Sequence, residues 1–299
     1  MKSNLVVGAF VLAIAVGCIL VLNPLNAGAG RFSLTAEFPE VPDSCTLYRV
    51  VPATLTAGEV ANRLGLSGEV SERSGEFYLI DTTKDPEERL TVYADSGAVA
   101  YHIPDRELPA EMTRQPDLPA DAEAEEIARA FLAKTGMASP DARVVEIAVN
   151  QRHEVWSSGG DEPEASYDVT VAVRFGRSLD GLPVYGDEFA VILGAGGDVV
   201  GLVKTWREVE PEGSVAVRSP EEAYADLLAS RTVGPSGSAA YDRVTIENIS
   251  LGYWMEPRGV VQDTVRPVYA FSGTAVRDGA SEPYVEYVSA ERDALEDEA

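Results

Sequence analysis

The stretch that decides the fold runs from Tyr167 to Arg207 and reads YDVTVAVRFGRSLDGLPVYGDEFAVILGAGGDVVGLVKTWR. It contains three apolar runs, Tyr167–Phe175, Phe189–Leu193 and Val199–Trp206, which have the length and composition of β-strands. The glycines at 194, 196 and 197 do not make a phosphate-binding loop, because a valine stands where the third glycine of that motif is needed and no helical pattern follows. The stretch therefore predicts strands joined by turns, with a tight hairpin at these glycines.

Three predicted helices each precede a group of strands. The first begins with a capping box formed by Thr56 and Glu59 and ends at Gly65. The second covers Asp121–Thr135, and the third begins with a capping box at Ser219. This repeated order predicts an α+β fold of two or three small modules, each a helix packed on a twisted antiparallel sheet, after an N-terminal transmembrane helix.

Composition predicts the module boundaries. We expect the modules at residues 31–104, 121–210 and 215–290. Residues 104–120 contain four prolines, which remove backbone donors, so residues 105–120 are predicted to be a linker. Residues 291–299 are mostly charged and are predicted to be a solvated acidic tail.

The N-terminal segment, residues 1–30, is predicted to be a signal anchor. Leu5–Leu22 is an uncharged run of eighteen residues, and as a helix it would cover roughly 27 Å, which is close to the hydrocarbon thickness of a bilayer. The positive charge of Lys2 favours a cytoplasmic N-terminus with the body of the chain outside. The sequence therefore predicts a single-pass protein of the cell membrane that contacts lipid through residues 5–22. The alternative is secretion after cleavage near Ala29.

The charge balance excludes one class of partner. Acidic residues outnumber basic ones, 49 to 24, and the net charge is -25. Such a surface repels phosphate backbones, so nucleic acid is not expected as a partner. Of the two cysteines, Cys18 lies in the apolar N-terminal run, which leaves Cys45 as the single thiol of the body and excludes a disulfide within it.

Residues that could carry out chemistry are few. His102 and His153 belong to no HExxH or other paired metal-ligand spacing, and the chain has no GxSxG nucleophile elbow. Cys45 and a distant histidine could form a nucleophilic pair, but a lone cysteine is more often an inert buried residue. The sequence predicts a protein that is not an enzyme and that has neither a metal nor a cofactor.

The candidate partner-binding residues are aromatic. Aromatic side chains are concentrated in the last module, and Tyr253 and Trp254 are adjacent in a predicted strand. Because side chains alternate between the two faces of a strand, we expect one of this pair to point outward, where it is available to a partner or to another module. The predicted binding site comprises Tyr253, Trp254 and Tyr269, with Trp206 as a second candidate.

The quoted stretch, together with the helix before it, resembles the PepSY/FTP-type modules found in propeptides of thermolysin-like proteases. The shared parts are the strands, the segment Asp180–Gly186 (DGLPVYG) and the Gly-Gly-Asp turn. Leu251–Trp254, Arg266–Gly273 and Tyr284–Ala290 are similar to the closing segment of such tandems. The resemblance covers about residues 119–290, and its motifs carry no catalytic residues.

The layout also resembles the Yyc-type accessory regulators, which place such modules outside one N-terminal helix and modulate a sensor histidine kinase. The resemblance implies a non-enzymatic, membrane-anchored, extracytoplasmic protein that binds and regulates a sensor kinase or an exported protease. The alternatives are an exported acidic hydrolase, which would need two carboxyl groups with separated pKa values in one cleft, and a carbohydrate- or cell-envelope-binding protein.

Overall fold

The structure is a computed structural model, and it describes residues 31–159, 161–234 and 241–292. Strands account for 48% of the chain and helices for 16%, and the strands form two large sheets, called here sheet I and sheet II. The strands are β1 (Phe32–Leu34), β2 (Ser44–Val51), β3 (Ser71–Arg73), β4 (Glu76–Asp81), β5 (Glu88–Tyr93), β6 (Val99–His102), β7 (Arg143–Val155), β8 (Ala165–Gly176), β9 (Ser178–Leu179), β10 (Leu182–Tyr185), β11 (Glu188–Leu193), β12 (Val199–Thr205), β13 (Glu208–Ala216), β14 (Arg243–Trp254), β15 (Thr264–Arg277) and β16 (Ala280–Ser289). The helices are α1 (Ala57–Leu64), α2 (Pro104–Glu107), α3 (Asp121–Thr135) and α4 (Pro220–Leu228).

Sheet I joins the first two predicted modules. Its eight described strands follow the antiparallel order β3-β4-β5-β6-β12-β11-β8-β7. Two four-stranded halves meet at β6 and β12, where Leu202 lies opposite Tyr101. One buried core contains Val60 of α1, Leu132 of α3 and Leu202 of the sheet. The two helices therefore pack on one continuous sheet and share one core.

Sheet II draws strands from the beginning, the middle and the end of the chain. The described strands follow the order β13-β2-β15-β14-β10-β9, with β1 beside β14 and β16 beside β15. The long hairpin of β14 and β15 lies at its centre, with Leu251 opposite Tyr269. Helix α4 covers one face, and its Leu227 is buried in the same core as Phe271.

The predicted fold class is wrong. Small separate modules, each with its own sheet after a membrane helix, do not occur in the described chain, which is mostly β and has two large sheets. The reason is the pairing of strand edges, since β6 and β12 satisfy each other's backbone groups where separate modules would leave two exposed edges. Side-chain periodicity shows which face of a strand is buried, but it does not show which two edges pair.

The segment Asp180–Gly186 connects the two sheets. Asp180 and Gly181 have positive φ angles of 51° and 80°, which is typical of the type I′ turn of a two-residue hairpin, here between β9 and β10. β10 then pairs in parallel with the end of β14. At Gly186, whose φ is 84°, a Cβ atom would lie 2.0 Å from the carbonyl oxygen of Met255, so only glycine fits this approach.

Both predicted capping boxes and both predicted helix-ending glycines are confirmed, whereas Asp121, expected as an N-cap, is the first helical residue after Ala120. Thr56 and Ser219 each form a complete capping box, and Gly65 and Gly136 end their helices in the left-handed conformation. The glycine-rich residues 194–197 lie in the turn between the antiparallel strands β11 and β12, as predicted. These signals depend on groups within a few residues of each other, which is why sequence is sufficient to recognise them.

Replacing Ser219 with alanine is expected to lower the free energy of unfolding by about 1 kcal/mol. The Ser219 hydroxyl accepts the N–H of Glu222 at 3.2 Å, and alanine leaves that helix donor without its cap. Urea denaturation measures the change. Ser281→Ala, on the exposed side of β16, is the control and should change the free energy of unfolding by less than about 0.5 kcal/mol. Equal effects of the two substitutions would contradict this role of the cap.

The proline-rich residues 105–120 lie against sheet I. α2 begins this segment, and its Glu107 lies 2.8 Å from Nδ1 of His102 on β6. Arg106 pairs with Asp198 at 2.9 Å, and the Gln115 amide bonds the backbone of Asp168. The segment is therefore attached to the sheet at several points on its way to α3.

The predicted membrane anchor and localisation require correction. No helix of the chain over residues 31–159, 161–234 and 241–292 is both long and apolar enough to cross a bilayer. The anchor prediction, with its cleavage alternative, falls on residues 1–30, which lie outside the described residues. The predicted single-pass membrane localisation and bilayer contact therefore have no support in the described part of the chain. The acidic tail also lies outside the described residues from position 293 onward.

Candidate functional site

Three of the four predicted binding residues are buried. Tyr253 and Tyr269 are fully buried in the core beneath α4, and Trp254 is only 7% exposed. Trp254 points to the opposite face of sheet II, where its ring lies 4.8 Å from that of Tyr287 and beside Gly234. The expectation that one of the adjacent pair is exposed is wrong, because other parts of the chain cover both faces of the strand.

Trp206 has a different position, in a cavity of about 170 Å³ between the two sheets. It follows β12 and is half-buried. On the side of sheet II, the wall consists of Val51–Leu55 at the end of β2 and just after it. On the side of sheet I, it consists of the Ser96–Gly97 turn with Val99, the Gly136–Met137 end of α3, and Lys204 with residues 206–208. Both sheets and one helix terminus therefore contribute to this cavity, which we take as the candidate functional site.

Lys204 is one of two cationic side chains among the described residues of the cavity wall, and Arg207 is the other. The Nζ atom of Lys204 donates to the carbonyl oxygen of Met137 at 2.7 Å and lies 5.0 Å from the centre of the Phe189 ring. No carboxylate among the described residues is within ion-pair distance of this ammonium. Burial lowers the pKa of Lys204 to about 8, although the charges of Asp141 and Glu208 act in the opposite direction.

Arg207 joins the cavity wall to sheet II. Its Nη1 donates to the carbonyl oxygen of Glu256 at 2.6 Å, and its Nη2 donates to those of Pro257 and Val260 at 3.1 and 2.7 Å. These carbonyl groups lie in the connection between β14 and β15. The side chain is 3% exposed, and its Nε has no hydrogen-bond partner among the described residues. Arg207 thus holds the two sheets together and retains one free donor.

A buried ion pair fixes the orientation of Trp206. Nε of Arg177 lies 2.7 Å from Asp187, and both side chains are 2% exposed. The Arg177 guanidinium lies over the Trp206 ring at 4.5 Å, and the indole N–H donates to Asp141 at 3.2 Å. Burial raises the pKa of Asp187 to about 6, and Arg177 opposes this shift. Two contacts therefore fix the indole, the Arg177 guanidinium on the face of the ring and the Asp141 carboxylate at the N–H.

One side of the cavity is an exposed segment outside helices and strands. Residues 52–55 are exposed, and the backbone groups of Ala53, Thr54 and Leu55 make no backbone hydrogen bond in the described structure. The segment rests on Gly97, where a Cβ would lie 2.3 Å from the Cβ of Ala53. Its peptide groups are therefore available to another chain.

Sequence reasoning missed Lys204, Arg207 and the Arg177–Asp187 pair. One signal was present, because Lys204 interrupts an apolar strand and is one of only four lysines in the chain. The pair carried no such signal, since its partners face each other only after the chain leaves sheet I at the end of β8, forms β9 and β10 in sheet II and returns to sheet I at β11. Elsewhere, Cys45 is buried, and no group of three His, Cys, Asp or Glu residues in the described chain could hold a metal ion.

Among the comparisons with known proteins, the one with solved structures finds a similar fold. No family model and no curated protein matches the chain. The crystal structure of an uncharacterized protein from Eubacterium rectale is similar with a TM-score of 0.47 and 9% identity, and the match covers 87% of this chain and 89% of that one. A likeness at this level says nothing about activity, and the resemblance to PepSY/FTP-type modules stays a prediction.

Proposed function

We propose that this protein is a non-enzymatic binding protein and that the cavity between sheets I and II receives part of a polypeptide partner. The observation that carries the proposal is the combination of a rigidly held, half-buried Trp206 with an exposed backbone at residues 52–55 that lies outside helices and strands and makes no backbone hydrogen bond at Ala53–Leu55. Rigid aromatic side chains are typical anchors of protein interfaces, and a segment with open peptide groups can pair with an added extended strand.

The size of the cavity favours a side chain or a chain end as its occupant. Sites for drug-sized ligands usually have volumes of about 300–1,000 Å³, whereas this one has about 170 Å³. The apolar wall includes Leu55, which is 39% exposed at the rim. An extended segment that runs beside residues 52–55 would place one of its groups against Trp206.

The charge of the chain favours a partner with a basic surface. At a net charge of -25, association with such a partner is steered by long-range attraction and weakens as salt is added. We therefore expect the association rate to fall with ionic strength, while the contacts in the cavity determine how slowly the complex dissociates.

The wall composition supports binding over hydrolysis. Among the described lining residues, Glu208 is the only carboxylate, so two carboxyl groups do not meet there as an acidic hydrolase would require. Asp187, whose pKa burial raises to about 6, is held by Arg177 and is not part of the wall. The proposal that the protein is not an enzyme rests on this arrangement.

Selection from a displayed library of random ten-residue peptides tests the proposed function. Peptides recovered on the wild-type protein should bind Trp206→Ala at least tenfold more weakly, because the anchor of the cavity is gone. Leu55→Glu, at the exposed rim, should have a similar effect without disturbing the core.

The matched control is Trp156→Ala. Trp156 is 53% exposed after β7 and lies outside the cavity, so its removal should leave peptide affinity unchanged. Circular dichroism and urea denaturation show whether each variant is folded. Recovery of no peptide, or equal affinity for the Leu55 variant and the wild type, would overturn the proposal.

A further inference from the structure

The cavity between the sheets contains two cations that make no ion pair in the described chain, although Asp141 and Glu208 act on Lys204, and Asp187 and Glu256 act on Arg207, at longer range. Lys204 and Arg207 both line it, and among the described residues each donates to backbone carbonyl oxygens and makes no ion pair. The chain has 49 acidic and 24 basic residues, so an acidic partner would be easy to supply. The absence of one is therefore unexpected at a half-buried ammonium, because a buried charge is costly unless it is paired.

Both cations also have donors left over. The Lys204 ammonium has three N–H groups, and one of them is used by Met137. Arg207 is only 3% exposed, and its Nε–H has no partner in the described chain. Arg63 adds further positive charge near the entrance, where its Nη1 donates to Gly136 at 2.7 Å. An acceptor that carries negative charge would satisfy the two remaining Lys204 donors, whereas the Nε–H of Arg207 is buried and contributes only its charge.

We propose that the cavity binds a carboxylate, with the Lys204 ammonium as its main ligand. This inference rests on the proposed function and deepens it, because the carboxylate that best fits the cavity is the C-terminal carboxylate of a partner chain running beside residues 52–55. A free small carboxylic acid has the same chemistry, and the experiment below separates the two sources. The apolar lining around Trp206 and Leu55 would accept the hydrocarbon part of either ligand.

Charges around Lys204 define how binding depends on pH. Asp141 and Glu208 stabilise the ammonium, whereas Arg177 and Arg63 destabilise it, and burial outweighs the two acids. A carboxylate binds the protonated form, so its affinity should be constant up to about pH 7 and should fall above about pH 8, by up to tenfold per pH unit. Lys204→Arg keeps its charge throughout this range and should remove the fall.

The four lysines make the site directly observable. In protein labelled with carbon-13 at lysine Cε, the Lys204 signal should titrate well below the usual lysine range near 10.4. Sodium propionate should shift that signal in a saturable way and raise its pKa, while the signal of exposed Lys134 should not respond. Lys204→Met should abolish the response in affinity measurements, and Lys134→Met is the matched control on α3.

Pairs of identical peptides with a free or an amidated C-terminus separate the sources of the carboxylate. Free-acid peptides that bind at least tenfold more tightly than their amides, with the difference lost in Lys204→Met, establish a chain terminus as the ligand. Lys204-dependent binding of propionate without peptide binding establishes a free carboxylic acid and refutes the proposed peptide partner. Peptides that bind equally as acid and amide refute the carboxylate site and leave the proposed function standing. If neither propionate nor any peptide perturbs Lys204, both proposals fail.

Discussion

Replacing Arg177 with methionine is expected to lower the free energy of unfolding by about 3–5 kcal/mol at pH 7. The substitution leaves the Asp187 carboxyl group without its cationic partner in a site where both side chains are 2% exposed. It also removes the cation that lies 4.5 Å over Trp206, so the wall of the cavity loses its support.

The loss should depend on pH in a defined direction. The folded-state pKa of Asp187 is already raised to about 6 by burial, and without Arg177 it rises further above the unfolded value near 3.9. A folded state that binds the proton more tightly gains stability as pH falls. The deficit of Arg177→Met should therefore shrink between pH 7 and pH 5.

Urea denaturation at these two pH values measures both effects. Arg174→Met is the matched control, because Arg174 forms an exposed pair with Glu146 at 3.0 Å and should cost less than about 1 kcal/mol. The double variant Arg177→Met with Asp187→Leu should recover much of the loss, since it removes both members of the pair and leaves neither of them unpaired. An effect of Arg177→Met no larger than that of its control would show that the buried pair contributes little.

Replacing Tyr253 with alanine is expected to lower the free energy of unfolding by about 3–5 kcal/mol. Tyr253 is fully buried, and its ring packs edge-on against Tyr48 at 5.3 Å, so the truncation leaves a cavity in the core of sheet II. The aromatic cluster therefore contributes to stability where the sequence predicts a binding surface.

Two substitutions serve as controls for Tyr253→Ala. Tyr253→Phe keeps the ring and should cost less than about 1.5 kcal/mol. Val285→Ala removes an apolar side chain that is 49% exposed on β16 and should cost less than about 0.5 kcal/mol. If Tyr253→Ala leaves stability within 1 kcal/mol of the wild type and abolishes partner binding, the original assignment of the cluster as the binding site is restored.

The alternation of side chains along a strand predicts which face each candidate residue occupies, but not what covers that face. Alternation along β14 correctly separates Tyr253 from Trp254, which face opposite sides of sheet II. It cannot show that the other side is covered as well, because the covering groups, the Tyr287 ring on β16 of the same sheet and the backbone at Gly234, are distant along the chain. Trp206, the weaker candidate, lies in the cavity because β12 ends where the two sheets meet.

Local features of this protein were determined by the sequence itself. The capping boxes at Thr56 and Ser219 and the left-handed glycines at 65 and 136 are interactions among neighbouring residues, so the same residues that form them also reveal them. Only the tertiary structure decided that β6 pairs with β12, that Arg177 meets Asp187 and that Lys204 lies half-buried without an acid. Those outcomes depend on which strand edges and charges become neighbours after folding. The neighbours are determined by how whole sheets become buried, and no short sequence pattern contains that information.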